Sequence, residues 1–589
     1  MLSFLCKSWE SFFHDKTGIQ GCRTAGYMRM GFALLFLIDR FIMLYHLDYF
    51  FSPSRGLLPF RVSGRNYEIV DWHQWSIFRY APESNALIWM VAALGIIQGI
   101  FLLLGTSKYP RVHLFGLYLN ILSFQNHNTM LWDGEDDMFR IWCFLFLFFP
   151  LDCCTVYDRF GFGSCSLSTS WPMWPFRIFQ IEIMLIYMGA SLGKLSQPYW
   201  QDGSSIYRLT YGLDDYPGVF NPDIIFARYG PLKLMCWSAL FLEATCWITV
   251  WVPALRKLSV VLMILLHIGI DLSMQMHMFE LLCCVGWCVF LIQPASITTT
   301  ATEDDGDAAV GADCGGIRSA ELDRTNDSSA EQNSNTRTAF RESLLKKTMT
   351  NIFVVSFVFA ISVDITPVKY FKPFIPESFH PSLGRLEKKR QHLWEKYLDP
   401  ISTPLGLSQS GEWSMYTNVH ATITTFRIDV LPKNNQTLVT GAWRWRDVGH
   451  TMPNWKRKFY TRHSNYYGQF TDGRNELLHF IQLMSKPVLE EYDVNALYFV
   501  MEEWNHEDHE MESTGGFWDP VVKHPMDVFS EKHKMVVRIV DGDFKVIHFE
   551  DDDDDDDDDD DGYDEEGFKY GDDENDEDES DESDDDEDD

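Results

Sequence analysis

Apolar residues run in long blocks over roughly the first 365 positions and in short alternating stretches after them, and the two patterns predict different structures. A block of about 19 apolar residues can cross a hydrocarbon core about 30 Å thick. About nine such segments are predicted: near Met28 to Leu47, Ala86 to Gly105, Val112 to Phe124, Met138 to Leu151, Phe176 to Lys194, Leu232 to Val252, Leu258 to Ser273, Met278 to Gln293 and Thr350 to Ile365. The third, fourth and eighth are short or interrupted. Ahead of them, residues 1–24 mix apolar and charged positions with no apolar run of signal length, which reads as a cytosolic amphipathic helix at the membrane surface.

Beyond the ninth segment the pattern is that of a water-soluble domain. Asn418 to Leu431 and Gln436 to Arg446 are β-rich runs joined by Pro432-Lys433-Asn434-Asn435, and Val536 to Phe549 contains an Asp541-Gly542 turn, so two hairpins are predicted. A helix is expected from about Gly473 to Met484. The fold class expected is a multi-pass α-helical membrane bundle followed by a mostly β (α+β) lumenal domain and a disordered acidic tail. Its divisions are 1–24, a transmembrane domain 25–295, a flexible cytosolic loop 296–348 rich in Ala, Gly, Ser, Thr and Asp, a last span 349–366, the β-rich domain 367–549 and the tail 550–589.

Charge sorts the loops. Lys and Arg collect on the cytosolic side of membrane proteins. Lys7, Lys16, Arg23 and Arg29 precede the first span, Lys108 and Arg111 separate the second and third, Arg159 and Arg177 the fourth and fifth, Arg256 and Lys257 the sixth and seventh, and Arg341, Lys346 and Lys347 precede the ninth. With nine spans all of them fall on one side. The N-terminus is then cytosolic and everything after Ile365 lumenal, in the endoplasmic reticulum or another endomembrane. Asn435, in Asn435-Gln436-Thr437, would be open to glycosylation, whereas the sequon at Asn326 would not.

The formal net charge of the 589 residues is -36, but -29 of it comes from Glu550 to Asp589, which leaves -7 for the rest. A near-neutral body this rich in aromatic residues is not a nucleic-acid binder. The run Asp551 to Asp561 offers weak calcium binding, against the simpler reading of a self-repelling disordered tail. None of the 12 cysteines lies beyond Cys314, so the soluble domain is not a disulfide scaffold, and no metal site is expected.

Ionisable residues at membrane depth cost roughly 2.5 to 3.5 kcal/mol each and usually face the protein interior. Asp39 and Arg40, Glu182 and Lys194, Glu243, His267 and Asp271, and Glu280 fall inside predicted spans. Internal ion pairing is the alternative to chemistry for Asp39, Arg40 and Glu243, and snorkelling to the interface is the alternative for Lys194. Glu182 is about three turns from Lys194 along the same helix, too far to pair with it.

Tyr187 to Leu195, followed by Pro198-Tyr199-Trp200-Gln201-Asp202-Gly203, resembles the vitamin K-dependent γ-glutamyl carboxylases and the wider family of horizontally transferred transmembrane (HTTM) domain proteins, in which a Tyr, a Lys seven residues on and then a Trp close a span. Here they are Tyr187, Lys194 and Trp200. Arg29 to Asp39 resembles the family's opening span. Asn126 with Trp132-Asp133-Gly134-Glu135-Asp136-Asp137 and Arg140 resembles the HTTM loop before the fourth span, His267 and Phe279 match its later His and Phe, and Gln409, Trp413, Met415 and Tyr416 resemble the start of the bacterial soluble part. The resemblance implies an enzyme in which Lys194 is the base for reduced vitamin K or another quinol, oxygen converts that quinol to a strong base, and carbon dioxide captures the glutamate carbanion of a protein substrate. Desolvation makes an amine a reasonable base. The sequence departs from the animal enzymes in carrying Gly134-Glu135-Asp136 where they have Asn-Asn-His, with His127 a substitute only under a shifted alignment, in Ile270 where they have Asn, and in lacking a lumenal cysteine for the family disulfide. Two other readings stay open: a non-catalytic lipid-binding or interaction protein of the same fold, and a transporter, for which no inverted repeat is visible. The basic and aromatic residues Arg444, Arg446, Lys456, Arg457, Lys458 and Arg462 around Trp443, Trp445 and Trp455 offer a surface for an acidic peptide or an ordinary solvated sheet face.

Overall fold

The structure is a computed structural model that describes residues 2–53, 75–105, 109–127, 134–153, 170–207, 228–273, 278–295, 328–365, 376–398, 422–433, 437–444, 477–478, 481–482, 484–505, 530–540 and 543–549. A mainly helical N-terminal region precedes a region built on a five-stranded antiparallel sheet.

The helices up to residue 365 are α1 (Leu2–His14), α2 (Ile19–Phe51), α3 (Asn85–Leu104), α4 (Pro110–Gln125), α5 (Gly134–Phe146), α6 (Trp174–Leu195), the short α7 (Pro198–Gln201), α8 (Tyr229–Thr249), α9 (Arg256–Ser273), α10 (Phe279–Trp287) and α11 (Ser328–Ile365), and His380–Leu393 and Lys486–Glu491 are helical beyond them. Local chemistry sets several boundaries. Ser84 caps α3 by accepting from the Leu87 N–H, and Gly105 ends it in the left-handed conformation (φ 67°) with its N–H on the Phe101 carbonyl. A side chain at Gly105 would also strike the Arg29 guanidinium, 2.7 Å from the Cβ position. Pro110 and Pro175 sit in the first turns of α4 and α6, where a missing N–H costs nothing.

Among the described residues four helices are long and apolar enough to cross a membrane: α2, through Asp48, α3, α6 and α8. Their surfaces are inverted relative to a water-soluble bundle. Phe41, Met90 and Phe241 are 55%, 52% and 66% exposed, whereas Asp39, Arg40, Glu182 and Glu243 are buried. Apolar side chains outside and charged ones inside suit a hydrocarbon solvent.

All nine predicted segments fall on helices, yet five miss one of those requirements. α4 and α5 have 16 and 13 residues. α9 carries Arg256, Lys257 and Asp271 within its 18 residues. α10 gives way after nine residues to a 3-10 turn, Cys288–Leu291. The ninth segment is the end of α11, a 38-residue helix that begins at Ser328. Residues 328–348, expected to belong to a flexible loop, are therefore helical; their Ala, Glu, Gln, Arg, Leu and Lys content favours helix over the Ser and Thr among them. α1 packs on α6, and its Trp9 indole and His14 ring meet the Asn351 side chain of α11 at 3.1 and 2.7 Å.

The strands β1 (Lys16–Thr17) and β2 (Trp171–Pro172) pair with each other. The main sheet has the order β4-β3-β5-β6-β7, with β3 (Thr422–Pro432), β4 (Val439–Arg444), β5 (Val494–Asn505), β6 (Ser530–Val540) and β7 (Asp543–Phe549). Both predicted hairpins are present, as β3 with β4 and β6 with β7. Phe426, Ile428 and Val430 of β3, Leu497, Phe499 and Met501 of β5, and Met535 and Val537 of β6 line one face. They belong to a contiguous buried cluster that also contains Leu47, Phe50 and Phe51 of α2 and Val91 of α3. Within the predicted 473–484 helix, Leu477 and Ile481 are helical and buried in that cluster.

Candidate functional site

Seven residues return a helical side chain to nearly the same face two turns on, so Tyr187 and Lys194 project from one side of α6. Of the four apolar helices α6 is the most enclosed, with 72% of its apolar window buried against 28% for α8. That face meets protein, not lipid.

Lys194 is 5% exposed and its Nζ lies 2.5 Å from Oε2 of Glu243 on α8. The ring of Trp200, on α7, sits over the amine at 5.0 Å from its centroid. The snorkelling expected as the alternative for Lys194 does not occur: the partner that α6 lacks within itself comes from α8. Each of the two groups would be costly to bury alone, and each satisfies the other.

Two turns away the Tyr187 hydroxyl bonds His267 Nε2 of α9, and His267 Nδ1 bonds Glu280 Oε2 of α10. All three residues are buried. A carboxylate on Nδ1 fixes the proton there and leaves Nε2 to accept the tyrosine O–H. The Trp287 ring packs 5.0 Å from the Tyr187 ring. Glu280 was legible as a carboxylate at membrane depth but not as the partner of His267, because thirteen residues and a helix reversal separate them.

The remaining predicted residues form other groups. At the start of α5, Glu135, Asp136 and Asp137 are buried, where acidic groups suit the helix dipole. Arg140 Nη2 donates to Asp137 Oδ1 at 2.5 Å, Gln125 donates to the Asp136 carbonyl at 2.8 Å, and Glu135 accepts the Met278 N–H at 2.6 Å. Asn126 donates to the Trp75 carbonyl, and His127 stacks on Phe51. These contacts tie α4, α5 and the start of α10 together. Asp39 and Arg40 lie 3.6 Å apart, with the guanidinium over Phe36 and Phe124. Asp271 is half-buried at the end of α9. Asp133, Gln409, Trp413, Tyr416 and Asn435 lie outside the described residues, as do the acidic tail and, of the basic aromatic set, all but Trp443 and Arg444.

One charged group was not anticipated. Arg427 Nε donates to Asp429 Oδ1 at 3.0 Å and its Nη1 to Glu502 Oε1 at 2.5 Å, while the Gly441 N–H reaches Asp429 Oδ1 at 2.6 Å. All three charged side chains are buried. Alternation in β3 assigns Arg427 and Asp429 to the face opposite Phe426 and Ile428, and only burial distinguishes that face from a wet one. Among the described residues no three His, Cys, Asp or Glu side chains are arranged to hold a metal.

Comparison with protein-family models, with curated proteins and with solved structures finds no match.

The arrangement on α6 can move protons. It sets an amine paired with a carboxylate beside a phenol paired with an imidazole and a carboxylate, in surroundings of low dielectric.

Proposed function

We propose that the chain is an integral membrane enzyme of the γ-carboxylase class, with Lys194 as the base for a lipid-soluble quinol such as reduced vitamin K and glutamate side chains of a protein as the groups carboxylated. The observation that carries the reading is the buried Lys194–Glu243 pair on the enclosed face of α6. The likeness of Tyr187, Lys194 and Trp200 to the family's sequence supports it. So does the chemistry of the side chains: Trp200 and Tyr187 offer flat aromatic faces and the amine a polar end, a donor set that fits an aromatic diol.

The chain's own part is proton handling. Passing the ammonium proton from Lys194 Nζ to Glu243 Oε2 breaks an N–H bond and forms an O–H bond, and it leaves a neutral amine able to take a hydroxyl proton. When bound, a quinol oxidised by O2 supplies the strong base that glutamate deprotonation requires. In this reading nine spans place the N-terminus in the cytosol and Asn435 in the lumen of the endoplasmic reticulum or another endomembrane; loss of an endoglycosidase-sensitive mass in Asn435→Gln is the corresponding observation.

The test uses the full chain in lipid nanodiscs with reduced vitamin K, O2, bicarbonate and Glu-containing peptides, following carbon dioxide fixation and quinone epoxide. Turnover that disappears in Lys194→Met is the expected result. Absence of both products from the wild-type chain removes the reaction and leaves the non-catalytic lipid-binding reading. Turnover retained by Lys194→Met removes the lysine from the base role.

A further inference from the structure

Two arginines meet at one end of the bundle, against α1. Arg177 stands in the first turn of α6, and Arg256 opens α9 just after the turn that follows α8. Arg177 Nε donates to the Phe12 carbonyl of α1 at 3.2 Å and Nη1 to Gln180 Oε1 at 2.8 Å, while its guanidinium lies 4.4 Å from the Phe12 ring centroid and 5.9 Å from that of Trp251. Arg256 Nε donates to the Val250 carbonyl at 3.1 Å. Both guanidinium groups therefore sit at the Val250–Trp251 corner, close enough for their charges to repel.

Neither charge is neutralised by the chain. Arg177 is 7% exposed, yet among the described residues no carboxylate lies within ion-pairing distance of it or of Arg256. Asp15, whose charge reaches Arg177, is exposed and accepts from Ser11 at 2.9 Å, and Glu10 is taken by Lys347. Nη2 of Arg177 has no partner among the described residues and is not sealed from the surface; the half-buried Arg256 likewise keeps both Nη groups unused. Holding two like charges together with one of them largely desolvated is costly unless an anion joins them. The planar N–H fork of arginine matches phosphate oxygens.

The surroundings say which phosphate. Val252, Leu255 and Leu258 are 43%, 41% and 55% exposed beside Arg256, on the outside of a bundle whose long helices present apolar side chains outward. A free phosphate has no use for them, whereas a phospholipid sets its headgroup on the arginines and its acyl chains on the leucines. The corner also lies at the basic end of the bundle: the β1–β2 pairing brings Lys16 there, Arg111 packs on Trp171 of β2, and Lys347 reaches Glu10 of α1. Basic pockets at that membrane face are where anionic headgroups settle.

We propose that Arg177 and Arg256 form a binding site for the headgroup phosphate of an anionic phospholipid, with its acyl chains along Leu255 and Leu258. Arg177 contributes its free Nη2 and Arg256 its outer edge. Seventeen residues of α6 separate Arg177 from Lys194, about 25 Å along the helix, so this lipid and the quinol occupy different places.

The test titrates the full chain in detergent micelles with phosphatidic acid carrying a fluorescent acyl chain, against phosphatidylcholine and inorganic phosphate as competitors. The wild-type chain is expected to prefer phosphatidic acid over phosphatidylcholine by about tenfold or more. Arg256→Gln, which gives up one bond to a backbone carbonyl, and Arg177→Met should each weaken binding about tenfold, and Arg256→Lys should recover part of the loss. Lys257→Gln, an exposed neighbour, should change it less than about twofold. A wild-type chain without the preference overturns the inference, as does an Arg256→Gln chain that binds like wild type. A Lys257→Gln loss as large as that of Arg256→Gln overturns it too, because the attraction would then be diffuse surface charge. Inorganic phosphate that displaces the lipid at the lipid's own concentration identifies a free-anion site and removes the lipid. If Arg177→Met does not keep its helical circular dichroism, Arg256→Gln and the wild-type competition decide. Turnover at Lys194 enters none of these measurements, so loss of the carboxylase reading leaves this site standing.

Discussion

Cutting the Lys194–Glu243 pair on one side should cost far more than removing both charges. At 2.5 Å and an effective dielectric constant of about 20, the attraction is about 6 to 7 kcal/mol. Withdrawing the two ions from water costs several kcal/mol each, so the pair as a whole comes out near neutral against apolar groups of the same size. In Glu243→Leu the lysine keeps its desolvation cost and loses its compensation, and a destabilisation of about 3 to 5 kcal/mol is expected. Lys194→Met/Glu243→Leu preserves volume on both helices and should lie within about 1 kcal/mol of the wild-type chain. Equilibrium unfolding in mixed micelles, followed by helical circular dichroism, measures all three, and the cycle isolates the coupling. A double variant as unstable as the sum of its two singles would refute the pairing. So would single variants costing less than about 1 kcal/mol, which would place both groups within reach of water.

Three further outcomes test the packing and the membrane reading. Gly286→Val should destabilise the bundle by about 1 to 3 kcal/mol, since even a Cβ there falls 2.4 Å from Trp142 and 3.1 Å from Ile183; unfolding in the same micelles reads it. Phe241→Asp puts a charge at a 66% exposed position of α8 and should lower membrane insertion by about 2.5 to 3.5 kcal/mol, measured as the inserted fraction in a translocation assay; a water-exposed helix would be unaffected. Glu10 is exposed, and the hydrogen bond that Lys347 donates to it holds its carboxyl below the ordinary carboxylate range. A carboxyl lowered in the folded state stabilises above its unfolded value and loses that contribution as pH falls through the folded one, so Glu10→Gln should matter only above the acid range and fade in high salt, as a salt-dependent melting temperature would show.

Much of the helical region was legible because membrane depth makes apolar blocks long and ionisable residues conspicuous. Lys194, Tyr187 and His267 could be singled out from the chain alone. Their partners could not, because Glu243 and Glu280 reach them across helix interfaces that periodicity does not encode. The hairpins were legible where one strand face is polar or a turn intervenes. β5 was not: Ala496, Leu497, Phe499 and Val500 are all buried, so this central strand reads as a continuous apolar run without alternation. The same enclosure hides Arg427, Asp429 and Glu502, whose charges suggest a wet face that burial contradicts.

The two α6 pairings separate structural from chemical roles in a way that one alone would not. If Lys194, Glu243, Tyr187, His267 and Glu280 only hold four helices together, apolar replacement of a complete partnered set keeps the fold and removes nothing else. If the Lys194–Glu243 pair handles protons, its replacement keeps the fold and abolishes turnover, while the Tyr187–His267–Glu280 set, which meets α9 and α10, stays in place. A polar network is costly to bury unless every member is satisfied. Both sets satisfy their own members, and the Trp287 indole packs against the Tyr187 ring and faces its hydroxyl.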